Sequence, residues 1–167
     1  MRGQTETIAL TMLFFVGVIL FISAFVWGRS ALDRNLDLVK AESAKDLALN
    51  IDKGVQDTIK FGGKNRIDFD IDATVELMDS KTIEFRMPTT VDIPNYWVNI
   101  TSDGSLIREM KEGNTLRIQI VYQFEDFDVE LYTEGPETAT PKFIDIEKVT
   151  TTKINNRTLI RIKLTLQ

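Results

Sequence analysis

Side-chain chemistry in proteins most often starts from histidine or cysteine, and this chain of 167 residues has neither. Without histidine the usual general base and the commonest metal ligand are missing. Without cysteine there is no thiol nucleophile, no thiolate metal site and no disulfide framework. What remains is carboxylate: 25 Asp and Glu against 20 Lys and Arg, a formal net charge of -5. The acids form two period-two runs, Asp68, Asp70, Asp72 and Asp126, Asp128, Glu130. Two such runs brought together would gather Ca²⁺. Neither has the spacing of a loop-type calcium site, and each reads better as the solvated face of a strand whose other face carries Phe69 and Ile71, or Phe127 and Val129. A paired-carboxylate enzyme needs a pair that stands out from the acidic background, and none does. The expectation is therefore no enzyme, no catalytic residue, no metal and no cofactor. The acidic balance also speaks against a nucleic-acid partner.

A second kind of chemistry is modification. Asn99-Ile-Thr101 and Asn156-Arg-Thr158 are N-glycosylation sequons, so Asn99 and Asn156 are candidate sites. Sequons would place their part of the chain outside the cell. Tyr96 and Trp97, after Pro94, read as core or sheet packing rather than as a ligand platform.

The elements that carry these residues divide sharply. Residues 8–27 read IALTMLFFVGVILFISAFVW, with no charge and four of the ten phenylalanines. At about 1.5 Å per residue the run covers roughly 30 Å, the hydrocarbon thickness of a bilayer. A small water-soluble domain has too little interior to cover twenty apolar residues on every face. Helical patterning continues beyond the run. Between residues 29 and 61 six basic and six acidic residues alternate, there is no proline, and apolar residues recur at Leu32, Leu36, Val39, Leu47, Ile51, Val55 and Ile59. Steps of three and four mark one helical face. The spacing predicts one helix from about residue 6 to about residue 60, with Gly17, Gly28 and Gly54 as places to bend and Gly62-Gly63 as the stop. Glu6 would lie in its first turn, where a carboxylate complements the helix dipole.

From residue 65 the period changes to two. Segments 66–72, 74–78, 81–87, 96–101, 105–111, 115–124, 127–133, 143–152 and 157–166 read as strands. Ser102-Asp103-Gly104 and Glu112-Gly113-Asn114 read as turns, and 134–141 as a loop. The fold class expected is α+β: a long N-terminal helix followed by an antiparallel all-β head, sandwich-like. The head, residues 62–167, carries 13 basic and 18 acidic residues and so holds the net charge.

The opening Met1-Arg2-Gly3-Gln4-Thr5-Glu6-Thr7-Ile8, joined directly to the apolar run, resembles the archaeal type IV pilin-like proteins with class III signal peptides. The resemblance implies a leader of residues 1–3, cut by a prepilin-type peptidase between Gly3 and Gln4, and a mature helix over 4–61. It implies a structural subunit of a surface filament, held in the membrane before assembly. Its partners would be identical subunits in a helical homopolymer, the peptidase, an assembly ATPase and a polytopic platform protein. The helix contacts would be Phe14, Phe15, Leu20, Phe21 and Phe25. Glu6 would be the third mature residue, where bacterial pilins keep a Glu at the fifth; beside its dipole role it is a candidate to pair with a neighbour's freed amine. The alternative is a membrane-anchored surface β-domain, such as a minor pilin or a stator-like accessory of the archaeal motility filament, binding an envelope partner.

Overall fold

A computed structural model describes residues 2–101 and 105–167. The turn expected at Ser102-Asp103-Gly104 lies outside the described residues. The first element is helix α1, Arg2–Phe61, followed by ten strands: β1 Lys64–Asp68, β2 Thr74–Asp79, β3 Thr82–Pro88, β4 Val98–Thr101, β5 Ser105–Glu112, β6 Thr115–Tyr122, β7 Phe127–Thr133, β8 Thr138–Ala139, β9 Phe143–Ile154 and β10 Arg157–Leu166. The α+β class expected from the periodicity is what the chain adopts. Strand β1 starts two residues earlier than expected and stops at Asp68, so the Asp70 and Asp72 part of the acidic run is not strand. A two-residue strand, β8, lies inside the expected 134–141 loop.

The helix runs through Gly17, Gly28 and Gly54 without interruption. Its end is set by backbone sterics. Gly62 and Gly63 take φ of 73° and 86°, and the Gly62 N–H donates to the Thr58 carbonyl at 2.9 Å. Glycine adopts this left-handed cap without a Cβ penalty. Two compact units divide the chain inside the helix, at Leu38/Val39.

The first unit, Met1–Leu38, is helical from Arg2 onward, and residues 8–30 are exposed on every side. The second unit, Val39–Gln167, holds the last part of α1 and both sheets. One sheet has the order β1-β9-β10-β7 and the other β4-β5-β6-β3-β2-β8. Pairing is antiparallel except between β7 and β10, which run parallel with Ile160 opposite Val129. The exception follows from the chain path. After β6 the chain leaves the six-stranded sheet, and β7 takes the open edge of the C-terminal strand rather than a hairpin position.

One hydrophobic core joins helix and sheets. Ala41, Ala44, Leu47, Ala48, Ile51, Val55 and Ile59 are buried at steps of three and four. They meet period-two sets such as Ile83, Phe85 and Met87, Leu116, Ile118 and Ile120, and Ile160, Ile162 and Leu164. Gly54 is a close-approach position. A Cβ there would stand 2.8 Å from Ile67 Cδ1 and 3.1 Å from Ile146 Cδ1. Polar contacts fix the register: Lys45 Nζ to Glu109 Oε1 at 2.9 Å, Asn65 Nδ2 to the Gly54 carbonyl at 3.1 Å, and Lys148 Nζ to the Ile59 carbonyl at 3.0 Å.

Candidate functional site

The apolar segment of α1 presents the largest unsatisfied surface among the described residues. Phe14, Phe15, Leu20, Phe21 and Phe25, the predicted helix contacts, are all exposed, as is Trp27 at the end of the run. The Phe14 and Phe15 rings meet edge to face at 6.1 Å. Ser23, one of the two polar side chains in the run, donates to the Ile19 carbonyl at 2.8 Å, which hides its hydroxyl from an apolar surround. This helix is long and apolar enough to cross a membrane, and its most hydrophobic window is wholly exposed. The apolar surface also extends past the length of a bilayer. Leu32 and Leu36 are 59% and 50% exposed, and Leu38 and Val39 are exposed as well, among Arg29, Asp33, Arg34 and Lys40.

The exposure of Gly3 and the side chains of Gln4 and Glu6 lie outside what is described. Their backbone is helical, and the helix begins at Arg2, so its first turn holds no acid. Glu6 therefore sits beyond the first turn expected for it, because nothing in Arg2-Gly3-Gln4 stops the helix from extending backward.

The second unit holds a polar network that sequence reasoning did not single out. On the face of the six-stranded sheet away from the core, Asn99, Arg108, Gln119, Glu84 and Glu76 form one cross-strand row through β4, β5, β6, β3 and β2. Glu84 is fully buried. Arg117 donates to it through Nε and Nη2 at 2.9 and 2.8 Å, and Arg86 Nε and Gln119 Nε2 donate as well. Arg108 donates twice to Gln119 Oε1, and the Trp97 ring covers the Arg108 and Arg117 guanidiniums at 4.7 and 5.6 Å. Burial alone would raise the Glu84 carboxyl. The hydrogen bonds from Arg117, Gln119 and Arg86 outweigh it and hold the group below the usual carboxylate range.

A smaller relative lies on the other sheet. Asp145, nearly buried, is held well below the usual range, first by the Arg66 hydrogen bond, against burial and with help from Lys64. Arg66 in turn lies 4.0 Å over the Phe143 ring. The period-two charges in each strand were legible. Which charge faces which was not, because that depends on strand order.

Trp97 packs on the sheet over Arg108 and Arg117, as expected, whereas Tyr96 is 65% exposed and lies outside the core. Two acids of the second run make ion pairs, Asp128 with Lys81 and Arg157 and Glu130 with Arg161. Among the described residues no group of three acids is placed to hold a metal ion. Asn99 and Asn156 are both exposed.

Among the described residues, the surface of the second unit carries grooves. One, of about 400 Å³, lies between Asn50, Lys53 and Asp57 of the helix and Arg66 and Asp68 of β1. Another, of about 210 Å³, is lined by Glu130, Tyr132, Val149, Thr150 and Arg161. Both are shallow and mixed in charge, unlike an enclosed apolar ligand site. Comparison with protein-family models, curated proteins and solved structures finds no match.

Proposed function

We propose that the chain is a structural subunit of an archaeal type IV pilus-like surface filament, assembled by packing of its N-terminal helices. The observation that carries this reading is the extent of exposed apolar surface on α1. Lipid can cover residues 8–27, which are uncharged on every side. Lipid cannot cover Leu32 and Leu36, which alternate with Arg29, Asp33 and Arg34. A neighbouring helix can cover both, because apolar side chains pack against it while the charges stay in water. In the membrane the helix is stable alone; in the filament the same surface is buried against identical helices, and the β-unit lies outside. A prepilin-type peptidase would cut between Gly3 and Gln4 and return Glu6 to the first turn, where its charge complements the helix dipole. An assembly ATPase and a platform protein would supply extraction.

The test is the amino terminus of the mature protein from its native membrane, by intact mass and peptide mapping. A start at Gln4, and loss of surface filaments with Gly3→Val, is the expected result. A start at residue 1 or 2 would sink the processed subunit and leave a membrane-anchored surface β-domain, of the minor-pilin or stator-like kind.

A further inference from the structure

We infer that Asn156 carries an N-linked glycan and that the β9–β10 hairpin is the element built to present it. The inference rests on the preceding reading in one respect only, that the β-unit lies outside the cell.

Ile154 pairs with Arg157, so Asn155 and Asn156 alone make the turn. Their φ values are 50° and 68°. Two central residues with positive φ define a type I′ turn, whose second position favours glycine. Asparagine tolerates this conformation less well than glycine does. Position 156 thus holds a side chain where the backbone favours none, and such a break in a local rule is expected at functional positions.

The surroundings leave room for a bulky polar group. Thr151 to Arg157 are seven consecutive exposed residues. A strand lying on a core would bury every second one. Here β1 accompanies β9 only as far as Glu147, and β7 accompanies β10 only from Thr158. The tip is therefore a two-stranded ribbon with both faces in solvent, and a glycan on it displaces no core side chain. The other sequon differs. Asn99 stands in the same cross-strand row as Arg108, Gln119 and Glu84, so a glycan there would lie over packed side chains.

The chemistry is a group transfer from an oligosaccharide carried on a lipid phosphate. Asn156 Nδ2 bonds to the anomeric carbon, and the bond from that carbon to the phosphate oxygen breaks. The lipid phosphate leaves with the electron pair, and the amide proton passes to a base of the transferase. Thr158 supplies the hydroxyl that makes Asn156 an acceptor.

The full chain from its native membrane is measured by intact mass, with peptide mapping across residues 150–161. The expected result is a mass above that of the polypeptide by whole sugar residues, mapped to Asn156. Asn156→Gly, which suits the turn and so folds, loses the whole adduct. Thr158→Ala loses it too, while Thr158→Ser keeps it. An unmodified Asn156 peptide from the wild-type chain, or an adduct on Asn99 alone, overturns the proposal. The amino terminus read from the same sample separates the two claims. A start at Gln4 with bare Asn156 defeats only the glycan; a start at residue 1 or 2 with modified Asn156 defeats only the processed subunit.

Discussion

Glu84 shows how one residue can set the acid response of the β-unit. Its buried carboxylate is ionised in the fold and receives donors from Arg86, Arg117 and Gln119. Asp145 is likewise held ionised by Arg66 and Lys64. Both groups have depressed values in the folded state, so their contribution is fully present above the unfolded-state values, about 4 for such carboxyls. As pH falls below that, the unfolded chain takes up protons that the folded chain refuses, and stability declines until the folded groups protonate as well. Thermal unfolding of the full chain in detergent should therefore hold steady from pH 7 to about 5 and fall steeply below about 4. Glu84→Ala should cost about 2 kcal/mol at neutral pH, because it strands the half-buried Arg117 guanidinium and the buried Gln119 amide. The same variant should show a shallower acid decline. A Glu84→Ala melting profile parallel to wild type across the acid range would remove Glu84 from this account.

Helix α1 is one element with two kinds of surface. Ile51 is fully buried in the β-unit, whereas Leu36 is half exposed. Ile51→Ala leaves a cavity in the core shared by the helix and the sheets, and should cost about 3 kcal/mol. Leu36→Ala should change unfolding by less than about 0.5 kcal/mol, as for other surface positions. Under the filament reading Leu36→Ala nonetheless lowers filament yield, because the lost contact is between subunits. Denaturant unfolding together with filament counts by electron microscopy distinguishes the two residues. Equal filament yield from Leu36→Ala and wild type, at equal expression, would count against helix packing beyond the apolar run.

For the whole molecule, the division at Leu38/Val39 has a solubility consequence. Most of the exposed phenylalanines and leucines belong to the first unit, Phe61 and Leu49 being exposed in the second, and the buried helix residues from Ala41 onward belong to the second. A chain beginning at Val39 retains every core residue of the β-unit and sheds most of the exposed apolar surface of the helix. It should run as a water-soluble monomer by size exclusion, whereas the full chain should require detergent. Aggregation of the shortened chain in water would show that residues before Val39 are needed to cover the β-unit.

The sequence by itself determined the apolar run at residues 8–27, the helical character up to Phe61, the switch to strands and most strand limits. These follow from local periodicity, which needs only neighbours in the chain. It also carried the glycine stop, since Gly62-Gly63 is a steric property of two residues. Only the tertiary structure decided that the face from Ala41 to Ile59 is buried while Leu32 and Leu36 stay exposed, although all share the same spacing. Periodicity marks an apolar face without saying what covers it. The parallel pairing of β7 with β10 and the Glu84 row across five strands were likewise closed to sequence reading. Both depend on strand order, which is set by the one arrangement that buries all the apolar faces at once. The hairpin tip lies between these cases. The sequon at Asn156 is plain in the chain, but its place on a bare two-stranded ribbon exists only because neither β1 nor β7 reaches that far.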